Sequence, residues 1–185
     1  MQARPSRKHV RLKEYDYSQA GVYFVTICTA QRACCLSHIE MPDFVGALHE
    51  APVVRLTGIG QIVEQIILSL ESRYPAVRVE KYVIMPNHIH LLIQICPVEK
   101  RAHRDAPLQD IAEAKNQSNR ALLAQIVGYL KMNVSKRVHQ IEPQLSIWQS
   151  RYHDHIVRDG NDFLRIWQYI DTNPAKWAQD QYYTP

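Results

Sequence analysis

Residues 79–95 read VEKYVIMPNHIHLLIQI, and two strands with the turn between them are legible in that stretch. Residues 79–85 and 88–95 are rich in β-branched and aliphatic side chains, as half-buried or buried strands are. Pro86-Asn87 between them is turn chemistry, which predicts two adjacent antiparallel strands. Upstream, Ile62, Val63, Ile66, Ile67 and Leu70 recur at helical spacing, so residues 60–72 form an amphipathic helix that Pro75 closes. Further back, residues 22–29 (VYFVTICT) read as a buried strand. Residues 30–57 carry Pro42 and Pro52 as breakers and hold a hairpin or an irregular excursion.

Downstream, residues 97–117 contain Pro97, Pro107 and many charges without periodicity, which marks a surface loop. Ser118 or Asn119 caps a long helix reaching about His139. Its apolar stripe is Leu122, Leu123, Ile126, Val127, Leu130, Val134 and Val138. Residues 148–157 are read as extended. Residues 162–172 form a last helix with Phe163, Ile166, Trp167 and Ile170 on one face. Pro174 stops it and biases Asn173 away from helical geometry. Strand, helix, strand, strand, helix, extended segment, helix is an α+β order, with helices laid over an antiparallel sheet.

The chain of 185 residues suits one domain with arms rather than two separate cores. Hydrophobic residues make up 46% and charged residues 22%, the balance of a folded domain, and no run is long enough to cross a membrane. Lys plus Arg, 22, exceeds Asp plus Glu, 18, for a net charge of +4. That excess is modest, but Arg4, Arg7, Lys8, Arg11 and Lys13 all precede the first acid, Glu14. Such an arm can meet phosphates, although many basic ends are simply solvated. Residues 1–15 are therefore read as a basic arm, 16–177 as the one folded domain and 178–185 as a tail. Cys28, Cys34, Cys35 and Cys96 show neither a disulfide framework nor zinc spacing. Together with the lack of a secretory h-region after the basic start, this predicts a cytoplasmic protein with reduced thiols.

The sharpest chemical feature is His88-Ile89-His90. On a strand, side chains alternate, so both imidazoles face one side while Ile89, Leu91 and Ile93 face the other. Two neutral imidazoles aimed alike chelate a divalent ion when a third ligand joins them; the plainer alternative is two surface histidines. Position 92 is a leucine, so the third alternating histidine of histidine-triad nucleotide hydrolases is missing. On the last helix Tyr169 lies at the edge of the apolar stripe, where its ring packs and its hydroxyl stays accessible. Asn173, one turn on, offers an amide oxygen suited to Mg²⁺ or Mn²⁺. A metal held there polarises a phosphodiester and brings it in line with the phenol, which is otherwise a poor nucleophile at neutral pH.

Four stretches carry a family resemblance: residues 11–29 (RLKEYDYSQAGVYFVTICT), 82–93 (YVIMPNHIHLLI), 126–138 (IVGYLKMNVSKRV) and 147–177 (IWQSRYHDHIVRDGNDFLRIWQYIDTNPAKW). They resemble the single-tyrosine HUH transposases, and most closely the REP-associated tyrosine transposase group. The resemblance implies a ferredoxin-like α+β fold. It also implies Mg²⁺- or Mn²⁺-dependent cleavage and rejoining of single-stranded DNA at hairpin-forming repeats, through a 5′-phosphotyrosine. It places the histidine pair on His88 and His90, the nucleophile on Tyr169 and the third metal ligand on Asn173. A monomer is favoured over a homodimer.

Rivals exist within the same chain. Tyr152 is a second candidate nucleophile, and His153 and His155 form a second alternating pair; His155 also matches the family's pattern. Tyr129 is expected to pack against the sheet. Arg7, Lys8, Arg11, Lys131, Lys136, Arg137 and Arg158 are the candidate DNA contacts, through phosphates and alongside ring stacking. Two other functions compete: a domesticated hairpin-binding protein that does not cut, and a metal-dependent phosphohydrolase of small nucleotides.

Overall fold

The computed structural model describes residues 21–40, 51–96 and 122–184. The arm residues Arg7, Lys8 and Arg11, the loop at 97–117 and the caps Ser118 and Asn119 lie outside the described residues.

Four strands form one sheet. They are β1 (Gly21–Cys28), β4 (Val77–Ile84), β5 (His88–Ile95) and β6 (His153–Val157), in the order β4-β5-β1-β6. Every neighbouring pair is antiparallel. With α1 (Gly58–Leu68) after β1 and α3 (Leu122–Val138) after β5, this is the ferredoxin-like arrangement expected from the sequence. The excursion between β1 and α1 is indeed a hairpin, β2 (Ser37–Glu40) paired with β3 (Val53–Leu56).

The two faces of the sheet are covered separately. Tyr23, Val25 and Ile27 of β1 and Ile89, Leu91, Ile93 and Ile95 of β5 point into a core shared with α1 and α3. The α3 stripe read from the sequence is the buried one, from Leu123 to Val138. On the opposite face Leu92 meets Ile166 and Ile170 of α4 (Gly160–Thr172), with Phe24, Val83, Phe163 and Trp167 around them. Each fully buried aliphatic side chain contributes about 1.5–3 kcal/mol relative to exposure. The period-two alternation of β5 is thus held from both sides, and a one-residue slip would swap the imidazoles for isoleucine and leucine.

Three local details differ from the sequence reading. The first helix begins at Gly58, because the Thr57 hydroxyl accepts from Gly60 N at 3.0 Å and caps it. It breaks at Ser69, whose N–H is shared between the Gln65 and Ile66 carbonyls and whose hydroxyl donates to Ile66 O, before the short α2 (Leu70–Arg73). The extended segment at 148–157 is a strand only over its last five residues; Trp148 makes an isolated bridge to Thr29.

The third detail concerns Asn173. It does not leave helical geometry: its φ and ψ are −58° and −43°. Pro174 instead starts a 3-10 turn, Pro174–Gln179, at the position where a missing N–H costs nothing. Burial of Asn173, together with a hydrogen bond from its amide to Asp180 at 2.8 Å, holds the conformation that the following proline disfavours. No helix among the described residues is long and apolar enough to cross a membrane.

Candidate active site

His88 and His90 are both fully buried on the α4 face of the sheet. Their rings do not stand parallel along the strand. They lean together until the two Nε2 atoms are 3.0 Å apart, with ring centroids at 4.5 Å. Each Nδ1 has its own partner. His88 Nδ1 is 2.9 Å from Asn87 Oδ1, and His90 Nδ1 is 2.8 Å from Thr26 Oγ1.

These partners fix the tautomer of His88. Asn87 Nδ2 donates to the Tyr182 carbonyl at 2.7 Å, so its Oδ1 must be the acceptor, and His88 Nδ1 carries the proton. The lone pair of His88 Nε2 therefore points at His90. The Thr26 hydroxyl can donate or accept, so it suits either tautomer of His90, including the one that frees Nε2 for a metal. Burial pushes both imidazoles below their ordinary pKa, helped for His90 by the charge of His88. Neutral imidazoles are the ligand form.

α4 brings Tyr169 to the same place. Asp159 caps the helix by accepting from Asp162 N at 2.9 Å, and the Ile166 and Ile170 faces pin it to the sheet. Tyr169 Oη then lies 3.4 Å from His90 Nε2, and its ring meets Phe24 edge-on at 5.9 Å. The residue is 37% exposed, the boundary position that the helical wheel predicts. Burial, followed by the charges of Asp180 and Tyr182, pushes the phenol up to about 12. Asn173, one turn on, is buried, and its Oδ1 has no hydrogen-bond partner among the described residues.

Asp180 and Tyr182 stand beside the histidines and were not singled out from the sequence. They fall in the segment read as a tail, which carries no periodicity, and only the fold brings them over β5. A carboxylate oxygen of Asp180 lies within 4.8 Å of ligand nitrogens of both His88 and His90. Tyr182 is buried and lays its ring against His88 at 4.6 Å. Arg32 fastens this segment by donating to Gln181 O at 2.9 Å. It does so from a left-handed backbone, with φ of 53° at Gln31 and 57° at Arg32. The signal for Asn87 was visible: it directly precedes His88, although only turn chemistry was read from it.

The donor set fits a divalent cation. Two converging imidazole nitrogens, a carboxylate and a buried amide oxygen unpartnered among the described residues make a mixed nitrogen and oxygen shell for a divalent cation. Thr26 is then the outer partner that orients His90. Thr26→Val keeps the shape of the side chain and removes the hydroxyl, so metal affinity should fall about 10–100-fold. Titration calorimetry with Mn²⁺ measures it, and unchanged affinity would show that Thr26 does not orient the ring.

The rivals sit elsewhere. Tyr152 packs, half-buried, against the core under α1 and α3. His153 is exposed and pairs with Thr26 across β1, placing it two strands from His90. His155 is occupied by Asp162 at 2.7 Å, and Arg165 and His155 together hold that carboxyl well below the usual range. Tyr129 stacks edge-on against Tyr74 at 5.7 Å.

The candidate DNA contacts on α3 are not brought to the histidines, since α3 covers the other face of the sheet. Lys131 donates to the Gln149 and Ser150 carbonyls at 2.5 and 3.1 Å, and burial lowers its pKa. Arg137 donates to Gln65 at 2.8 Å. Lys136 and Arg158 are exposed.

The chain matches no model of a known protein family. It is 33% identical over 178 residues to an uncharacterized protein of Haemophilus influenzae, covering 96% of this chain and 93% of that one. A second protein of that organism, named "Putative REP-associated tyrosine transposase", is 27% identical over 161 residues, 87% of this chain and 74% of the relative. Among solved structures, a REP-associated tyrosine transposase bound to a REP hairpin superposes with a TM-score of 0.52 at 17% identity. That match covers 90% of this chain and 73% of the other, and it shows the shared fold. With a ferredoxin-like sheet that carries His-Ile-His on β5 opposite a tyrosine on α4, the chain is similar along most of its length to a protein named as a REP-associated tyrosine transposase and shares the fold of a solved one.

Proposed function

We propose that this protein is a metal-dependent endonuclease and strand-transferase of single-stranded DNA, acting on hairpin-forming repeats through a 5′-phosphotyrosine on Tyr169. One observation supports this above the others: the Tyr169 hydroxyl stands 3.4 Å from a buried imidazole pair whose Nε2 atoms converge to 3.0 Å. A phenol, two neutral imidazoles and an oxygen donor meeting in one place are what phosphoryl transfer to tyrosine requires.

His88, His90 and Asn173 Oδ1 would hold the cation, with Asp180 supplying negative charge beside them. A bound divalent cation supplies electrophilic polarisation of the phosphodiester. Tyr169 Oη attacks phosphorus, forming the O–P bond as the bond from phosphorus to the 3′-oxygen breaks. The phenol is raised to about 12, so it needs a base. Its proton passes to the Asp180 carboxylate, and water protonates the departing 3′-oxygen. A 3′-hydroxyl attacking the phosphotyrosine reverses these steps and joins a new strand. The REP-hairpin complex of the structural relative supports hairpin DNA as the partner here.

His88→Ala tests the reading. Parent protein, a DNA hairpin with single-stranded flanks and Mn²⁺ should give a covalent adduct resistant to denaturing electrophoresis. The variant should give less than about one hundredth of it while still binding the hairpin. Tight hairpin binding by the parent with no adduct in Mn²⁺ or Mg²⁺ would instead identify a domesticated binding protein. Turnover of small nucleotides without any DNA adduct would point to the phosphohydrolase.

A further inference from the structure

A cleft of about 300 Å³ opens beside Tyr169, between the end of α4 and the 3-10 turn that follows it. Asn173 and Asp180 line it as well, so it adjoins the imidazole site. Its remaining walls are Thr172, Lys176, Gln179 and Gln181. The volume stands at the lower end of the ~300–1,000 Å³ found for ligand pockets.

The wall is polar in a particular way. Lys176 is its one cation, and it is exposed. No carboxylate among the described residues lies within ion-pair distance of it. The Thr172 hydroxyl spends its proton on the Gln168 carbonyl at 2.9 Å, which leaves its lone pairs to accept. Gln179 and Gln181 are exposed and carry primary amides, each with a donor and an acceptor, the pair of functions that matches a base edge.

A strand that presents one phosphate to Tyr169 must run on past it. The phosphate beside Tyr169 would have the cation held at the imidazole site for its countercharge, whereas the next phosphate along needs its own. We propose that this cleft seats the nucleotide next to the cleaved phosphodiester, with Lys176 on that nucleotide's phosphate and the amides of Gln179 and Gln181 against its base. The inference rests on the tyrosine-nuclease reading and deepens it: Lys176 is a substrate-positioning residue, and target choice at the cut is made partly by the segment after α4.

Binding without cleavage tests this. Two DNA hairpins are compared in EDTA by fluorescence anisotropy, one blunt and one with ten-nucleotide single-stranded flanks. The parent should bind the flanked hairpin more tightly. Lys176→Ala should lose about fivefold or more of that gain at low salt and lower the slope of log K against log salt by about 0.7, one single-strand phosphate contact. Lys176→Arg should keep both, and all three proteins should bind the blunt hairpin alike. Lys176→Ala binding the flanked hairpin with the parent's affinity and slope would overturn the proposal. Failure of the underlying reading looks different. A parent that forms no adduct in Mn²⁺ but shows the Lys176 effect has a strand-binding cleft without the nuclease chemistry. A parent that forms the adduct without any Lys176 effect keeps the chemistry and loses the cleft.

Discussion

Tyr169→Phe should abolish the covalent protein–DNA adduct and leave hairpin binding within about twofold of the parent, because the substitution removes a single oxygen. The ring keeps its edge contact with Phe24 and its place against His90, and the residue is already 37% exposed. Folding therefore has no reason to change. The reaction does, because no other atom can replace the attacking oxygen. Loss of a covalent nucleophile lowers rates on the order of 10⁴-fold or more in enzymes where it has been removed. Denaturing electrophoresis of the adduct and anisotropy of the hairpin give the two readouts. Tyr182 is the control within the same site, since its ring lies against His88 at 4.6 Å: Tyr182→Phe should still form the adduct.

The largest effect on stability is expected at Gly60. A Cβ built there would lie 2.0 Å from the Leu36 carbonyl oxygen, and that oxygen belongs to backbone, which cannot swing away like a side-chain tip. The same carbonyl accepts from Thr57 N and Thr57 Oγ1, each at 3.0 Å, so it is tied to the cap of α1. Gly60→Ala must push α1 away from the β2 segment. It should destabilise the protein by about 3 kcal/mol or more, beyond the usual range for overpacking because backbone must move. Chemical denaturation measures this, and a loss below about 1 kcal/mol would mean that the helix start shifts at little cost. Gly58→Ala, which meets nothing within 4 Å, is the matched control.

Much of this architecture was legible because periodicity reports on the two-sided burial of the sheet. The alternation in His88-Ile89-His90-Leu91 predicts which side chains share a face, and the structure places them so, with Ile89 and Leu91 under the helices and both histidines opposite. The α3 stripe and the position of Tyr169 on α4 follow from the 3.6-residue period in the same way. What periodicity does not encode was missed. Asp180 reaches the histidines through a turn and a carbonyl clamp from Arg32, contacts between residues far apart in the chain. Asn173 stays helical against the local bias imposed by Pro174, because tertiary burial outweighs that preference. Lys131, read as a candidate DNA contact on α3, donates to two backbone carbonyls of the segment before β6.

In the proposed reaction Tyr169 supplies the oxygen of the covalent bond to DNA. Trypsin cuts after Arg151, Arg158, Arg165 and Lys176. The two candidate nucleophiles therefore fall on separate peptides, residues 152–158 for Tyr152 and 166–176 for Tyr169, while the control Tyr182 and its neighbour Tyr183 share residues 177–185. The decisive measurement is mass spectrometry of the digested adduct formed with a flanked DNA hairpin and Mn²⁺. Nucleotide mass on peptide 166–176, fragmenting to Tyr169, is the predicted result; nucleotide mass on either of the other two peptides would contradict it.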